Sequence, residues 1–194
     1  VYVKDNVGRT TVKTITVSNI ISDTTPPTIS LTQSPTAPTT GNVTITASIN
    51  DNIGVAVKKY ASGNKTASYF ASSGTTLSGT TFTVSANGTY TVYAKDTAGN
   101  QTVKTITVSN IDKVLPVITI GNYSKAWTNK DLTVTATVTK GTLNATSHTF
   151  TANGSFTFTA KDEAGNNATP VTVTIDNIDK ALPSLTLTPN TTTP

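Results

Sequence analysis

The chain has 194 residues and a formal net charge of +4, with 35% hydrophobic and 12% charged residues. It contains no cysteine, which excludes disulfide bonds, thiolate metal sites and thiol catalysis. Its lysines are scattered and do not alternate with aromatic residues, so nucleic-acid binding is not expected. No run of about 18 apolar residues is present, so we expect no insertion of this fragment into a membrane.

The polarity of the chain comes mainly from Thr, Ser and Asn rather than from charges, and 45 residues are threonine. Threonine is β-branched and suits the solvent-facing side of a strand better than it suits a helix. The composition therefore predicts an all-β fold.

The chain begins with VYVKDNVGRTTVKTITVSNI, and this segment returns almost intact as TVYAKDTAGNQTVKTITVSNID at residues 91–112. A looser copy lies in the last third of the chain. Aligning the copies on Asp5, Asp96 and Asp162 gives periods of 91 and 66 residues. Repetition at a domain-sized period indicates an array of folded modules.

The repeat divides the chain into four predicted segments. Residues 1–22 are the last hairpin of a preceding module, and residues 23–111 are a complete module, called the first module below. Residues 112–179 are a shorter second module, and residues 180–194 are the first strand of a following one.

Strands are predicted where apolar residues alternate with threonine, because such a segment has one buried and one solvent-facing side. In the first module the clearest are 43–47, 90–94 and 106–108, and weaker ones are 56–60, 68–71, 75–77 and 82–84. In the second module they are 117–120, 132–138, 142–143, 148–150, 156–160 and 171–175. About seven short strands per module predict a β-sandwich.

A five-residue turn separates the last two strands of each module. It reads DTAGN at residues 96–100 and DEAGN at residues 162–166, and DNVGR at residues 5–9 keeps Asp and Gly. Asp can accept hydrogen bonds from the backbone two residues on, and Gly and Asn tolerate positive φ. The turn therefore predicts a β-hairpin.

The runs NGTYTVYAKDTAGNQTVKTITVSNID and NGSFTFTAKDEAGNNATPVTVTIDNID resemble the tandem bacterial immunoglobulin-like (Big-type) domains of Gram-positive surface, S-layer and cell-wall-associated proteins. The resemblance implies tandem immunoglobulin-like β-sandwiches at the cell surface or in a secreted protein. It implies a non-catalytic spacer, stalk or display module whose partners are neighbouring repeats and surface polysaccharide or a host or lattice protein. The alternative is an adhesin or carbohydrate-binding module that uses the 56–80 insertion or the Trp127 loop.

Few residues could support catalysis. His148 is the only histidine and Glu163 the only glutamate, and Glu163 belongs to a predicted hairpin turn. The chain therefore lacks the residues that paired-carboxylate catalysis and metal-dependent hydrolysis require. We therefore predict no catalytic residues and no enzyme activity, and His148 is interpreted as a core or edge residue of its sandwich.

Calcium is the one cofactor that the sequence suggests. In a sandwich of this type the linker that enters a module, the loop after its second strand and its last hairpin loop share one pole, so Asp23, Asp51 and Asp96 could converge there. Carboxylates are the ligands that Ca²⁺ prefers. Against this, Asp is common in turns for local reasons, and the second module has Lys140 in the corresponding loop.

Two aromatic features are candidates for ligand binding. Tyr123 and Trp127 in GNYSKAWTNKD could stack on a sugar ring, or Trp127 could cover the edge of a small core. Tyr60, Tyr69 and Phe70 lie in the insertion of the first module. They could form a binding face, or they could belong to extra strands that pack their own side chains.

Overall fold

The computed structural model describes residues 1–18 and 23–188. Within these residues the regular structure consists of β-strands and one short 3-10 helix, Ala67–Ala71. The prediction of an all-β fold is confirmed, and the antiparallel sheets are those of immunoglobulin-like sandwiches.

The chain separates into two compact units. The first unit contains Val1–Thr32, Ile45–Phe82 and Gly88–Thr107, and the second contains Gln33–Thr44, Thr83–Asn87 and Val108–Pro194. These units interleave in sequence, so they do not test the module boundaries that the repeat predicts, and those boundaries stay predictions.

Residues 1–18 contain a separate hairpin made of β1 (Tyr2–Lys4) and β2 (Thr10–Val12). Every side chain from residue 1 to residue 18 is exposed. The copy of this sequence in the first module is instead buried: Val92 and Val108 are at most 1% exposed, whereas their counterparts Val1 and Val17 are 91% and 58% exposed. The hairpin is therefore not packed against a core. The copy of the repeat at Asn19–Ile20 lies outside the described residues.

The first module contains two antiparallel sheets. One has the order β3 (Thr28–Ser34), β4 (Val43–Asn50) and β7 (Thr81–Val84). The other has the order β6 (Thr75–Thr76), β5 (Val55–Ser62), β8 (Gly88–Asp96) and β9 (Gln101–Val108). In β4 the predicted alternation is confirmed, because Val43, Ile45 and Ala47 are buried and the intervening threonines are not.

Aromatic residues join the two sheets in the first unit. The ring of Tyr60 on β5 stacks on Phe82 of β7 with centroids 4.0 Å apart. Phe70, only 2% exposed, stacks on Tyr93 of β8 at 5.0 Å. The strand predicted at 68–71 is wrong: this segment is the 3-10 helix, which directs Phe70 into the core. Tyr60 and Phe70 of the insertion thus pack against aromatic residues of the sheets, whereas Tyr69 is 37% exposed and meets the Phe70 ring at 5.2 Å.

The second module is built from three small antiparallel sheets. The first sheet has the order β10 (Ile118–Ile120), β11 (Leu132–Val138) and β13 (Ser147–Phe150). The second pairs β12 (Thr142–Leu143) with β15 (Ala160–Lys161). The third pairs β14 (Gly154–Phe158) with β16 (Val171–Ile175). Their inward residues form one core, in which Val134, Phe158 and Ile175 are at most 2% exposed. Alternation again explains the burial, since the threonines between these residues face outward.

The segment after the second module is described as far as residue 188 and contains no strand over residues 180–188. Leu182, Leu185 and Leu187 are exposed there. Residues 189–194 of the predicted following strand lie outside the described residues. No helix in the described part of the chain is long and apolar enough to cross a membrane.

Candidate functional site

Three aspartates of the first module converge as the sequence suggested. One carboxylate oxygen from each of Asp23, Asp51 and Asp96 lies within 4.8 Å of those of the other two. Asp23 precedes β3, Asp51 follows β4, and Asp96 ends β8. We call this group the carboxylate cluster. Asp96 is 1% exposed, and the other two are half-buried.

Loop amides hold each carboxylate of the cluster in place. Oδ1 of Asp51 accepts hydrogen bonds from the N–H groups of Ile53 and Gly54, at 3.0 and 2.8 Å. Oδ1 of Asp23 accepts from Thr25 N–H at 3.0 Å. In both residues the second oxygen, Oδ2, has less than 1 Å² of accessible surface and no hydrogen-bond partner. Two buried anionic oxygens are thus left without a donor.

Asn100, the last residue of the DTAGN turn, ties the cluster together. Its side-chain Nδ2 donates to Oδ2 of Asp96 at 2.7 Å and to the backbone oxygen of Asp23 at 3.0 Å. The turn therefore anchors the segment that leads into the module, called the incoming segment below. Sequence reasoning treated this Asn only as a turn former, and it missed the link because the two partners are 77 residues apart.

Burial acts to raise the pKa of Asp96, but hydrogen bonds to its carboxylate outweigh this effect. The donors are the Asn100 side chain and the backbone N–H groups of Asn100, Gly99 and Ala98. Together they hold the pKa of Asp96 below its ordinary value. Asp96 is therefore a carboxylate at neutral pH although it is almost fully buried.

The second module has the same arrangement at its incoming end, except that a lysine takes the place of one aspartate. Asp23 and Asp51 align with Asp112 and Lys140 at one constant sequence offset, and Asp96 aligns with Asp162 through the repeated turn. The Lys140 Nζ atom lies 2.5 Å from Oδ2 of Asp112 and 3.0 Å from Oδ2 of Asp162. An ammonium group thus stands between two carboxylates where the first module has a third carboxylate.

The rest of this end is preserved. Asn166 in the second module donates to Oδ2 of Asp162 at 2.9 Å and to the backbone oxygen of Asp112 at 3.1 Å, as Asn100 does in the first. Burial acts to raise the pKa of Asp162, but the hydrogen bonds from Asn166 and Lys140 lower it to about 2. The hydrogen bond to Asp112 in turn raises the pKa of Lys140.

The turn of the hairpin at residues 1–18 differs from the other two at its last position. Its turn ends in Arg9 instead of Asn, and the Arg9 Nε atom donates to Oδ2 of Asp5 at 2.6 Å. This contact lowers the pKa of Asp5. Within the described residues, the Arg9 side chain bonds the aspartate of its own turn.

A second set of hydrogen bonds holds the segment that leaves each module, called the outgoing segment. In the first module it is Asn110–Ile111. Asn87 behaves like a peptide group: its Oδ1 accepts from Ile111 N–H at 2.9 Å and its Nδ2 donates to Ile111 C=O at 2.8 Å. Nδ2 of Asn110 donates to the C=O groups of Pro35 and Ala37 at 2.9 and 2.8 Å.

The outgoing segment of the second module, Asn177–Ile178, is held in the same way. Ile178 N–H donates to Oδ1 of Asn153 at 2.8 Å, and Nδ2 of Asn177 donates to Ala126 C=O at 2.6 Å. Both modules also have a parallel bridge here, Thr39 with Ile111 and Thr128 with Ile178. Its backbone hydrogen bonds run from Thr39 N–H to Asn110 C=O at 2.9 Å and from Thr128 N–H to Asn177 C=O at 3.0 Å.

The candidate ligand-binding aromatics do not share one depression. Tyr123 packs partly against the core, with the Lys125 ammonium over its ring and donating to its hydroxyl. Trp127 is 74% exposed and lines a separate shallow depression with Asn129 and Asp179.

The single histidine lies among aromatic rings. The His148 ring stacks on Phe156 with centroids 3.9 Å apart and meets the edge of Phe150 at 4.6 Å. It is half-buried at the place predicted for a core or edge residue.

Comparison with models of protein families gives no match, and comparison with curated proteins gives none either. Among solved structures the chain is similar to the fibronectin(III)-like modules of Clostridium thermocellum CbhA. The identity is 16%, the match covers 82% of this chain and 100% of that chain, and the TM-score is 0.35. A likeness at this level supports no conclusion, so the fold assignment rests on the sheets described above.

Proposed function

We propose that this chain is a non-catalytic structural spacer or display module of a bacterial cell-surface or secreted protein. The observation that carries the proposal is the repeated attachment of the outgoing segments, each held by asparagine side chains and a parallel bridge. The resemblance of the repeat to tandem surface domains supports the location. Neighbouring repeats are the proposed partners, and surface polysaccharide or a host or lattice protein are further candidates.

The attachment suits a segment that transmits force. The bridge at Ile111 and the bonds from Asn87 and Asn110 all act within a few residues of where the chain leaves the module. Bonds that lie side by side across a pulled segment must break together, whereas bonds in series open one at a time. The outgoing segment should therefore resist peeling when the chain is stretched.

Single-molecule stretching of the full chain tests this proposal. We expect Asn87→Ala and Asn153→Ala each to lower the force of one unfolding event and to leave the other event unchanged. The exposed Asn64→Ala is the control and should change neither. Equal unfolding forces in all variants would contradict a mechanical role of the outgoing segments.

The positions of the few catalytically competent side chains support the non-catalytic part of the proposal. His148 stacks on Phe156 and meets the edge of Phe150, and Glu163 lies exposed in a hairpin turn of the second module. Over residues 1–18 and 23–188, no hydrogen bond joins either side chain to a nucleophile. Activation of a protein nucleophile by a general base uses such a contact.

Carbohydrate binding is a second candidate function, and the exposure of the Trp127 ring favours it. An exposed indole beside the polar Asn129 and Asp179 offers both a stacking face and hydrogen-bonding groups. A glycan array with the full chain tests this candidate. A saturable signal that Trp127→Ala abolishes and that Ile53→Ala, a control for loss of an exposed apolar residue, leaves unchanged would establish it.

A further inference from the structure

We propose that the carboxylate cluster of Asp23, Asp51 and Asp96 binds a hard divalent cation, Ca²⁺, and that the Lys140 ammonium replaces this cation in the second module. The proposal concerns the incoming end of the first module. It does not depend on the spacer function proposed above.

The first argument is electrostatic. Three carboxylates whose oxygens lie within 4.8 Å of one another repel strongly, and the repulsion grows as water is excluded. Oδ2 of Asp23 and Oδ2 of Asp51 are shielded from water and accept no hydrogen bond. Buried anionic oxygens are paired with donors or coordinate metals, because leaving them unpaired is costly. A cation at the cluster would give these two oxygens the partner that no protein donor provides.

The second argument comes from the second module, which shows how this end looks when a cation is built in. Lys140 brings a positive charge within 3.0 Å of Asp112 and Asp162, the counterparts of Asp23 and Asp96. At the position of Lys140 the first module has Asp51. At this position the first module is therefore two charge units more negative than the second. A bound divalent cation would supply these two units of positive charge.

The chemistry of the donors selects the class of ion. The cluster offers carboxylate oxygens and contains neither imidazole nor thiolate, so it suits a hard cation better than zinc or copper. Ca²⁺ accepts six to eight oxygens in flexible geometry, so three carboxylates can be completed by backbone carbonyls and water. Mg²⁺ demands near-ideal octahedral geometry and gives up its water reluctantly, so we expect it to bind more weakly.

Binding would join three parts of the chain that are distant in sequence. Asp23 belongs to the incoming segment, Asp51 to the loop after β4, and Asp96 to the last hairpin. In the absence of a cation the incoming segment is held there by the Asn100 side chain. The ion would therefore stiffen the incoming end of the first module, whereas the second module would be independent of calcium.

The test measures calcium binding and thermal unfolding of the EDTA-treated full chain. We expect one Ca²⁺ per chain by isothermal titration calorimetry, with a Kd of about 0.1–1 mM, the range of weak extracellular calcium modules. At 100 times the Kd, the folded-to-unfolded ratio of the binding unit should rise about 100-fold. MgCl₂ at equal concentration should give a smaller shift. No heat and no shift of the unfolding midpoint with CaCl₂ at about ten times the upper Kd would overturn the proposal.

Reciprocal charge variants make the test specific. Asp51→Lys copies the second module and should abolish calcium binding while the chain stays folded, and Lys140→Asp should create a second site. Asp51→Asn, which preserves shape, should weaken binding at least tenfold and keeps the test valid if Asp51→Lys does not fold. The exposed Asp176→Asn is the control and should bind as the wild type does. Calcium binding that is unchanged in Asp51→Asn would overturn the proposal.

Discussion

Removal of the Asn87 side chain should destabilise the first module measurably. Asn87→Ala deletes the hydrogen bonds to Ile111 N–H and to Ile111 C=O, at 2.9 and 2.8 Å. Ile111 is 8% exposed, so water cannot fully replace either bond. At about 0.5–1.5 kcal/mol per bond the loss is about 1–3 kcal/mol. For a domain of the size of the first module, a loss of about 2 kcal/mol lowers the melting temperature by roughly 10 °C.

An isosteric variant tests whether the amide acts as we describe. Asn87→Asp keeps the oxygen that accepts from Ile111 N–H but replaces the donor with an oxygen that faces Ile111 C=O. At pH 7 the loss should be at least as large as for Asn87→Ala. At about pH 3 the introduced carboxyl is largely protonated and can donate again, so part of the loss should be recovered.

Thermal unfolding followed by circular dichroism and calorimetry measures both variants against the wild type at pH 7 and pH 3. Asn129→Ala is a control from an exposed loop of the second module. If Asn87→Asp is as stable as the wild type at pH 7, within about 0.5 kcal/mol, the paired hydrogen bonds do not hold the outgoing segment and the reasoning is refuted.

Four further outcomes are expected. Gly141→Ala should destabilise the second module strongly, since Gly141 has φ +82° and an added Cβ would lie 2.3 Å from the backbone oxygen of Lys161; calorimetry measures the loss. Phe70→Ala should cost about 3–5 kcal/mol in urea unfolding, because the ring is 2% exposed; a loss under about 1 kcal/mol would show that the insertion is not part of the core. Asp162 has a folded pKa of about 2 against an ordinary 3.8, so it stabilises the fold fully above about pH 4 and this contribution disappears as the pH falls through 2. Lys140→Met should raise the pKa of Asp162, which carboxyl NMR titration measures, and an unchanged pKa would contradict the role given to the ammonium.

Local features of the sequence were enough to predict most strands. The segments 132–138, 142–143 and 171–175 agree with the structure at both ends. Alternation of apolar residues with threonine is a property of neighbours along the chain, and it specifies which side of a strand is buried whatever the strand packs against. The exception at 68–71 is a short segment in which periodicity cannot separate a strand from a helical turn. There the chain forms a 3-10 helix that buries Phe70.

The sequence also predicted where the carboxylate cluster would form, since the repeat located Asp23, Asp51 and Asp96 in connections at one end of a sandwich. It did not predict the links that asparagine side chains make. The bonds from Asn100 to the incoming segment and from Asn87 to the outgoing one join residues 77 and 24 positions apart.

The sequence by itself thus determined the repeat, the class of fold and the side on which most strands are buried. The tertiary structure alone decided the partners of Asn87 and Asn100, the burial of two aspartate oxygens that accept no hydrogen bond, and the placement of the Lys140 ammonium between two carboxylates. The physical reason is that burial along a strand follows from neighbouring residues, whereas hydrogen bonds and charge pairs between distant residues exist only where the packed sheets bring their ends together.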